Sequence, residues 1–163
     1  MAETKTIDAE ELAGYFQEFA ANFNDRADYQ ADLGLMQNDL EEYHAGWFAN
    51  EHSPSGSTWP PLSPNTKKRV GIEGPDKILV DTGKLRASLT GRSSESIREI
   101  VSEGLNHGLS FGTSVEYSIY HQTGVPENNL PQREHIGIND EILDDFAERI
   151  ADRTVAIVIG ARE

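Results

Sequence analysis

Pro54-Ser55-Gly56-Ser57-Thr58-Trp59-Pro60-Pro61-Leu62-Ser63-Pro64, followed further on by Ile78-Leu79-Val80-Asp81-Thr82-Gly83-Lys84-Leu85-Arg86-Ala87-Ser88-Leu89, is the stretch on which the fold turns. A disordered linker avoids aromatic and β-branched residues, yet this loop holds one of the chain's two tryptophans and four of its seven prolines. Each proline fixes φ near about −65° and biases the preceding residue toward extended backbone, so the loop is long but stiff. It is also poor in reactive groups. These features predict a segment that docks, with Trp59 either reaching a neighbouring molecule or plugging its own fold.

Upstream, Leu12, Tyr15, Phe16, Phe19 and Phe23 recur at spacings of three and four and predict a helix over 8–23, capped by Asp8. A longer helix is predicted over 29–50, where Leu33, Met36, Leu40, Tyr43 and Trp47 form a packing seam and Asp32, Asp39, Glu41 and Glu42 an acidic face. Downstream, Ser63-Pro64-Asn65-Thr66 reads as a helix start with Pro64 in the first turn. That short helix carries Lys67, Lys68 and Arg69 and should break near Gly71 and Gly74-Pro75. Another is expected over 82–89, capped by Asp81 or Thr82. Residues 96–103 and 109–113 read as an antiparallel hairpin around a loop from Gly104 to Gly108.

Helical spacing returns over 115–123 and stops at Gly124. The loop 125–138 should finish in a short strand over 134–138. A last helix begins at Asn139 or Asp140, with Ile142, Leu143, Phe146 and Ile150 as its apolar stripe. The expected class is α+β: N-terminal helices and a C-terminal helix flank a small antiparallel sheet, in one domain over 1–163 with 51–64 a protruding loop.

The chain has 163 residues, 37% of them hydrophobic, and a mean hydropathy of −0.55. That balance suits a surface-rich domain that completes its burial by assembling with copies of itself. Cysteine is absent, which excludes disulfides and thiolate chemistry. Neither a secretory signal nor an apolar run near the roughly 20 residues of a membrane span is apparent. The net charge of −14 is segregated: residues 1–50 carry −9, residues 51–100 carry +2 and residues 101–163 carry −7. Such a chain is a poor wrapper of DNA. Its central cations, Lys67, Lys68, Arg69, Lys77, Lys84, Arg86, Arg92 and Arg98, could touch DNA or meet the acidic helices of another copy, and charge segregation favours the head-to-tail contact that closes rings.

No catalytic constellation stands out. His44, His52, His107, His121 and His135 lack metal-ligand spacing. Phosphate-loop, nucleophile-elbow and His-Glu-x-x-His patterns are missing. The pairs Glu10-Glu11, Glu41-Glu42 and Asp144-Asp145 fall on helices where adjacent side chains diverge by about 100°. No enzyme, cofactor or metal is expected, although His121 beside a carboxylate would be the starting point of a hydrolase reading.

Three groups of residues, in order, carry a resemblance. They are Pro54-x-Gly56-x-x-Trp59-x-x-Leu62-Ser63-Pro64-x-Thr66, then Ile78-Leu79-Val80-x-Thr82-Gly83-x-Leu85-Arg86-x-Ser88, then Phe111-Gly112-Thr113 with Tyr117-Ser118-x-Tyr120-His121-Gln122-x-Gly124. Over about residues 30–155 the chain resembles the phage virion morphogenesis family, the tail-completion proteins of tailed and Mu-like bacteriophages. Where that family continues Ile-Pro-Ala-Arg-Pro-Phe-Leu-Gly, this chain reads Leu130-Pro131-Gln132-Arg133-Glu134-His135-Ile136-Gly137, keeping the first proline, the arginine, an apolar residue and the glycine.

The resemblance implies a structural virion protein of the phage neck, assembled in the bacterial cytoplasm. It would form a ring, six copies following the sixfold tail, that completes the tail and joins it to the head connector or adaptor. Its other partners would be a tail terminator or tail tube protein, with DNA passing through the channel without specific binding and no membrane involved. In that setting Trp59, Pro60, Leu62, Lys67, Lys68, Arg69, Leu85, Arg86 and Arg133 are expected at protein interfaces. Asp32, Asp39, Glu41 and Glu42 are expected to face the channel and keep DNA from adhering. The alternatives are a tail terminator that caps the tail tube and a head-side DNA-contacting adaptor.

Overall fold

The computed structural model describes residues 26–69, 77–91, 93–103 and 106–160, together with positions 13, 14 and 17, which are helical. The rest of the helix expected over 8–23 and the break expected near Gly71 and Gly74-Pro75 lie outside the described residues. The described elements are α1 (Arg26–Asn50), α2 (Pro64–Arg69), α3 (Lys84–Leu89), β1 (Ser96–Glu103), β2 (Asn106–Thr113), α4 (Ser118–Thr123) and α5 (Asp140–Gly160), with a single 3-10 turn at Pro126–Asn128. Helices flank a two-stranded antiparallel sheet, the α+β arrangement that the residue patterns predict.

The long helix α1 organises everything else. Its seam is buried at Leu33, Met36, Leu40 and Trp47, and it supplies two separate clusters. Leu40 and Trp47 pack with Ile142 of α5, with Tyr43, Leu109, Phe111 and Phe146 around them. Phe48, one residue on and so about 100° around the helix, packs instead with Trp59, Ile78, Leu85, Leu89 and Val115. Phe111 borders both clusters. The helix ends at Asn50, and the φ of 57° at Glu51 just beyond it is left-handed, a conformation that costs a non-glycine residue energy unless its surroundings fix it. Here they do: Glu51 Oε1 accepts the Ile78 N–H at 2.8 Å and its carbonyl accepts the Trp59 N–H at 2.8 Å.

Ser63 caps α2, accepting the Thr66 N–H at 3.1 Å, with Pro64 as the first helical residue as expected. At α3 the expected cap is corrected. The cap residue is Gly83, with φ 76°, and it makes no side-chain cap hydrogen bond. A left-handed backbone there favours glycine over Asp81 or Thr82. The hairpin pairs Ser96 with Thr113 through Glu103 with Asn106. Its second strand starts three residues earlier than expected, because Gly108 sits in the ladder opposite Val101 rather than in a turn.

Helix α4 starts at Ser118, later than expected, and Val115 before it is buried in the core. Gly124 closes it with φ 74°, and a Cβ there would meet Gln132 N at 2.8 Å. The strand expected over 134–138 is absent, and side chains take up its backbone groups. Asn139 caps α5 through its Oδ1 to the Ile142 N–H at 3.0 Å. Ile142 is fully buried whereas Leu143 is 58% exposed, so Leu143 drops out of the expected stripe: it lies one residue, about 100°, from the packed face.

Candidate functional site

The residues that carry the resemblance come together as one frame around the 51–64 loop. Trp59 is 3% exposed. Its ring meets Phe48 edge-on at 5.4 Å, and its Nε1–H donates to the Glu134 carbonyl at 2.7 Å. Arg133 is equally sealed and works on the same loop from the other side. Its Nε donates to the Pro60 carbonyl at 2.9 Å and its Nη2 to the Pro61 carbonyl at 3.0 Å. Burial lowers the pKa of this guanidinium, which nonetheless stays cationic at working pH. These two bonds orient the proline carbonyls, and charge assistance makes them strong.

Gln122 of α4 supports the segment that carries Arg133. Its Oε1 accepts the N–H groups of His135 at 3.0 Å and Ile136 at 3.2 Å, and its Nε2 donates to the Ile136 carbonyl at 2.8 Å. The Arg133 N–H donates to the His121 carbonyl at 2.7 Å. One amide side chain thus takes the backbone groups of His135 and Ile136, and 134–138 forms no strand.

His135 is fully buried. Its Nδ1 lies 2.9 Å from the Arg133 carbonyl and its Nε2 2.8 Å from Ser118 Oγ. A carbonyl only accepts, so the proton sits on Nδ1 and Ser118 donates to Nε2. Burial pushes this imidazole down to about 4. The Ser118–His135 contact has the spacing of a nucleophile and its base. Both side chains are buried, however, and the group on Nδ1 is a carbonyl rather than a carboxylate. His44 of α1 is a second buried imidazole, also pushed to about 4 by burial. Its Nδ1 lies 2.6 Å from the Leu40 carbonyl, and its ring sits 4.5 Å from Trp47 and 4.8 Å from Phe111. The periodicity of α1 placed His44 one turn from Leu40, but only the fold shows that it is core.

Outside this frame lies a groove of about 300 Å³, lined by Leu62, Leu79, Val80, Leu85, Tyr117 and His121 among others. His121 is half-buried with Nδ1 unpartnered, and burial followed by the charge of Arg133 lowers its pKa.

The expected interface residues divide between core and surface. Trp59, Leu85 and Arg133 are buried within their own chain, so none of them is presented to a neighbour in this conformation. The 51–64 loop accordingly folds back onto Phe48 and Glu134 rather than protruding by way of its tryptophan. Pro60 is half-buried and Leu62 lines the groove. Lys67 and Arg86 are exposed on α2 and α3. Lys68 and Arg69 belong to α2, and their side chains lie outside the description.

Most of the acids expected to face the channel are paired within the chain. Asp32 is 6% exposed and pairs with Arg153 at 2.7 Å. Asp39 pairs with Arg149 at 2.7 Å, and Glu41 with Arg98 of β1. Three of the four acids therefore tie elements of one chain together, and only Glu42 is left exposed. Tyr43 adds to the α1–α5 ladder by donating to Asp145 at 2.8 Å, and that carboxylate raises the phenol to about 12.

No curated protein and no solved structure matches the chain. The model of the phage virion morphogenesis family matches residues 7–155, a span that takes in α1, the loop, the groove, the hairpin and most of α5, and the chain therefore belongs to that family.

Proposed function

We propose that this virion protein is a structural component of the phage neck, a ring subunit that completes the tail and joins it to the head connector. One observation carries the reading beyond the family. The residues that could have formed a reactive set, Ser118, Gln122, Arg133 and His135, are consumed in holding irregular backbone in place. What they build is a stiff frame with a groove on its outside, which is what a subunit needs in order to present fixed surfaces to neighbours.

The ring's copies would number six to follow the tail, with the connector on one side and the tail terminator or tube on the other. DNA would pass without specific attachment, since a net charge of −14 opposes phosphate binding. Among the described residues, no helix is long and apolar enough to cross a membrane.

Electron microscopy of particles assembled without the protein tests the reading. Full heads beside finished, unjoined tails are expected. Overlong tails would identify a terminator instead, and normal infectious particles would remove the protein from the joint altogether.

A further inference from the structure

Helix α5 has a second face that no described residue of its own chain covers. Its inner face seats Ile142 in the core and turns its two arginines, Arg149 and Arg153, onto Asp39 and Asp32. On the outer face, Leu143, Ala147, Ala151 and Val155 follow one another at steps of four and are all exposed, Leu143 at 58% and Val155 at 55%. Residues spaced by four stack along one side of a helix, so these form an apolar ridge. Asp144, Glu148 and Asp152 form the adjoining ridge and are exposed as well. With both arginines turned inward, the outer face is apolar and acidic throughout its described length.

The groove beside α3 has the opposite character. Leu62, Leu79, Val80, Leu85 and Tyr117 give it an apolar lining, and about 300 Å³ leaves room for one or two aliphatic side chains. Its charged lining residues are Lys77 and Arg133 against one carboxylate, Asp81. Arg86 stands exposed on α3 beside it. Tyr117, 40% exposed, forms part of its rim at the start of α4.

The two surfaces belong to different clusters on different faces of α1, α5 to that of Leu40 and Trp47 and the groove to that of Phe48 and Trp59. Because Ile142 anchors α5 in the first cluster, a subunit cannot lay its own α5 over its own groove. From this complementarity we infer that the outer face of α5 docks into the α3 groove of a second copy of the chain, Leu143 entering the apolar slot while Asp144, Glu148 and Asp152 meet Lys77 and Arg86. The contact is heterologous, so a pair of copies still has one free groove and one free helix face, and further copies add until the series closes as a ring. This inference rests on the ring reading above and supplies the surfaces that the ring would use.

The absence of cysteine in the chain makes cross-linking a clean test. The double variant Leu143→Cys/Thr82→Cys, with Thr82 exposed on the groove, should give a disulfide-linked ladder of multimers in the oxidised protein and in assembled particles. Each single variant should give none. A dimer from Leu143→Cys alone would mean that α5 pairs with α5, and would overturn the proposal. A second pair of variants reports without cross-linking: Asp144→Lys/Glu148→Lys/Asp152→Lys and Lys77→Glu/Arg86→Glu should each sediment as monomers, and mixing them should restore multimers, because each helix face then meets a groove of opposite charge. If the wild type forms multimers and these variants do so equally well, the proposed contact is wrong while the ring stands. If the wild type and the particle-borne chain are monomeric throughout, both fall.

Discussion

The two sides of α1 are held by different means. Toward α5 the chain uses regular structure: two antiparallel helices share a small apolar cluster, and pairs such as Asp39–Arg149 and Asp32–Arg153 line the seam. Toward the loop it uses irregular backbone, and each turn there is fixed by a particular side chain: Trp59 on Glu134, Arg133 on Pro60 and Pro61, Gln122 on His135 and Ile136. A regular element spreads its stabilisation over many repeated contacts, so losing one costs little. A stitched loop concentrates it, because a buried carbonyl or N–H that loses its partner pays the full desolvation cost.

Substitutions should separate the two sides. Trp59→Ala removes the largest plug of the loop cluster and its hydrogen bond, and should cost about 3–5 kcal/mol in urea unfolding. A folded monomer of wild-type stability that merely failed to assemble would return Trp59 to an interface role. Arg133→Met keeps the volume but strands two proline carbonyls, for a loss of about 2–3 kcal/mol. Unchanged stability there would mean that water replaces the guanidinium without cost.

Acidification reaches both sides. The folded pKa values of His44 and His135 are depressed from 6.5 to about 4, so between those values the unfolded chain binds more protons and stability falls as pH falls. Each imidazole should withdraw about 2 kcal/mol by pH 5. His135→Gln should therefore show a shallower decline than the wild type between pH 7 and pH 5, and parallel curves would contradict its burial as a neutral base. Asp39→Asn, by contrast, breaks a pair whose side chains are 33% and 36% exposed, and should cost about 0.5 kcal/mol. A loss as large as that of Arg133→Met would erase the distinction between the two sides.

The same division explains what could be read from the amino-acid order. Local signals were sufficient for α1, whose seam repeats every three or four residues, for Pro64 at the start of α2, for the hairpin, and for Asn139 before α5. They failed where the partner is distant. Trp59 in a proline-rich loop fits an inward plug as well as an outward anchor, and what decides is Phe48 together with a carbonyl 75 positions away. Asp39 and Asp32 look like a solvated face until arginines 110 and 121 positions on fold against them. Residues 134–138 read as a strand in sequence but form none, because the amide of Gln122, 13 and 14 positions earlier, occupies backbone groups that a neighbouring strand would take. The groove was out of reach for the same reason, since Leu62, Leu79 and Tyr117 meet only after the loop has folded back.

The account stands or falls on where the protein sits in the particle. A cryo-electron microscopy map of the intact virion at the head–tail joint should show a closed ring of this fold between the connector and the tail tube, with each Trp59 inside its own subunit. Finding the fold away from that joint, or not in the finished particle at all, would contradict it.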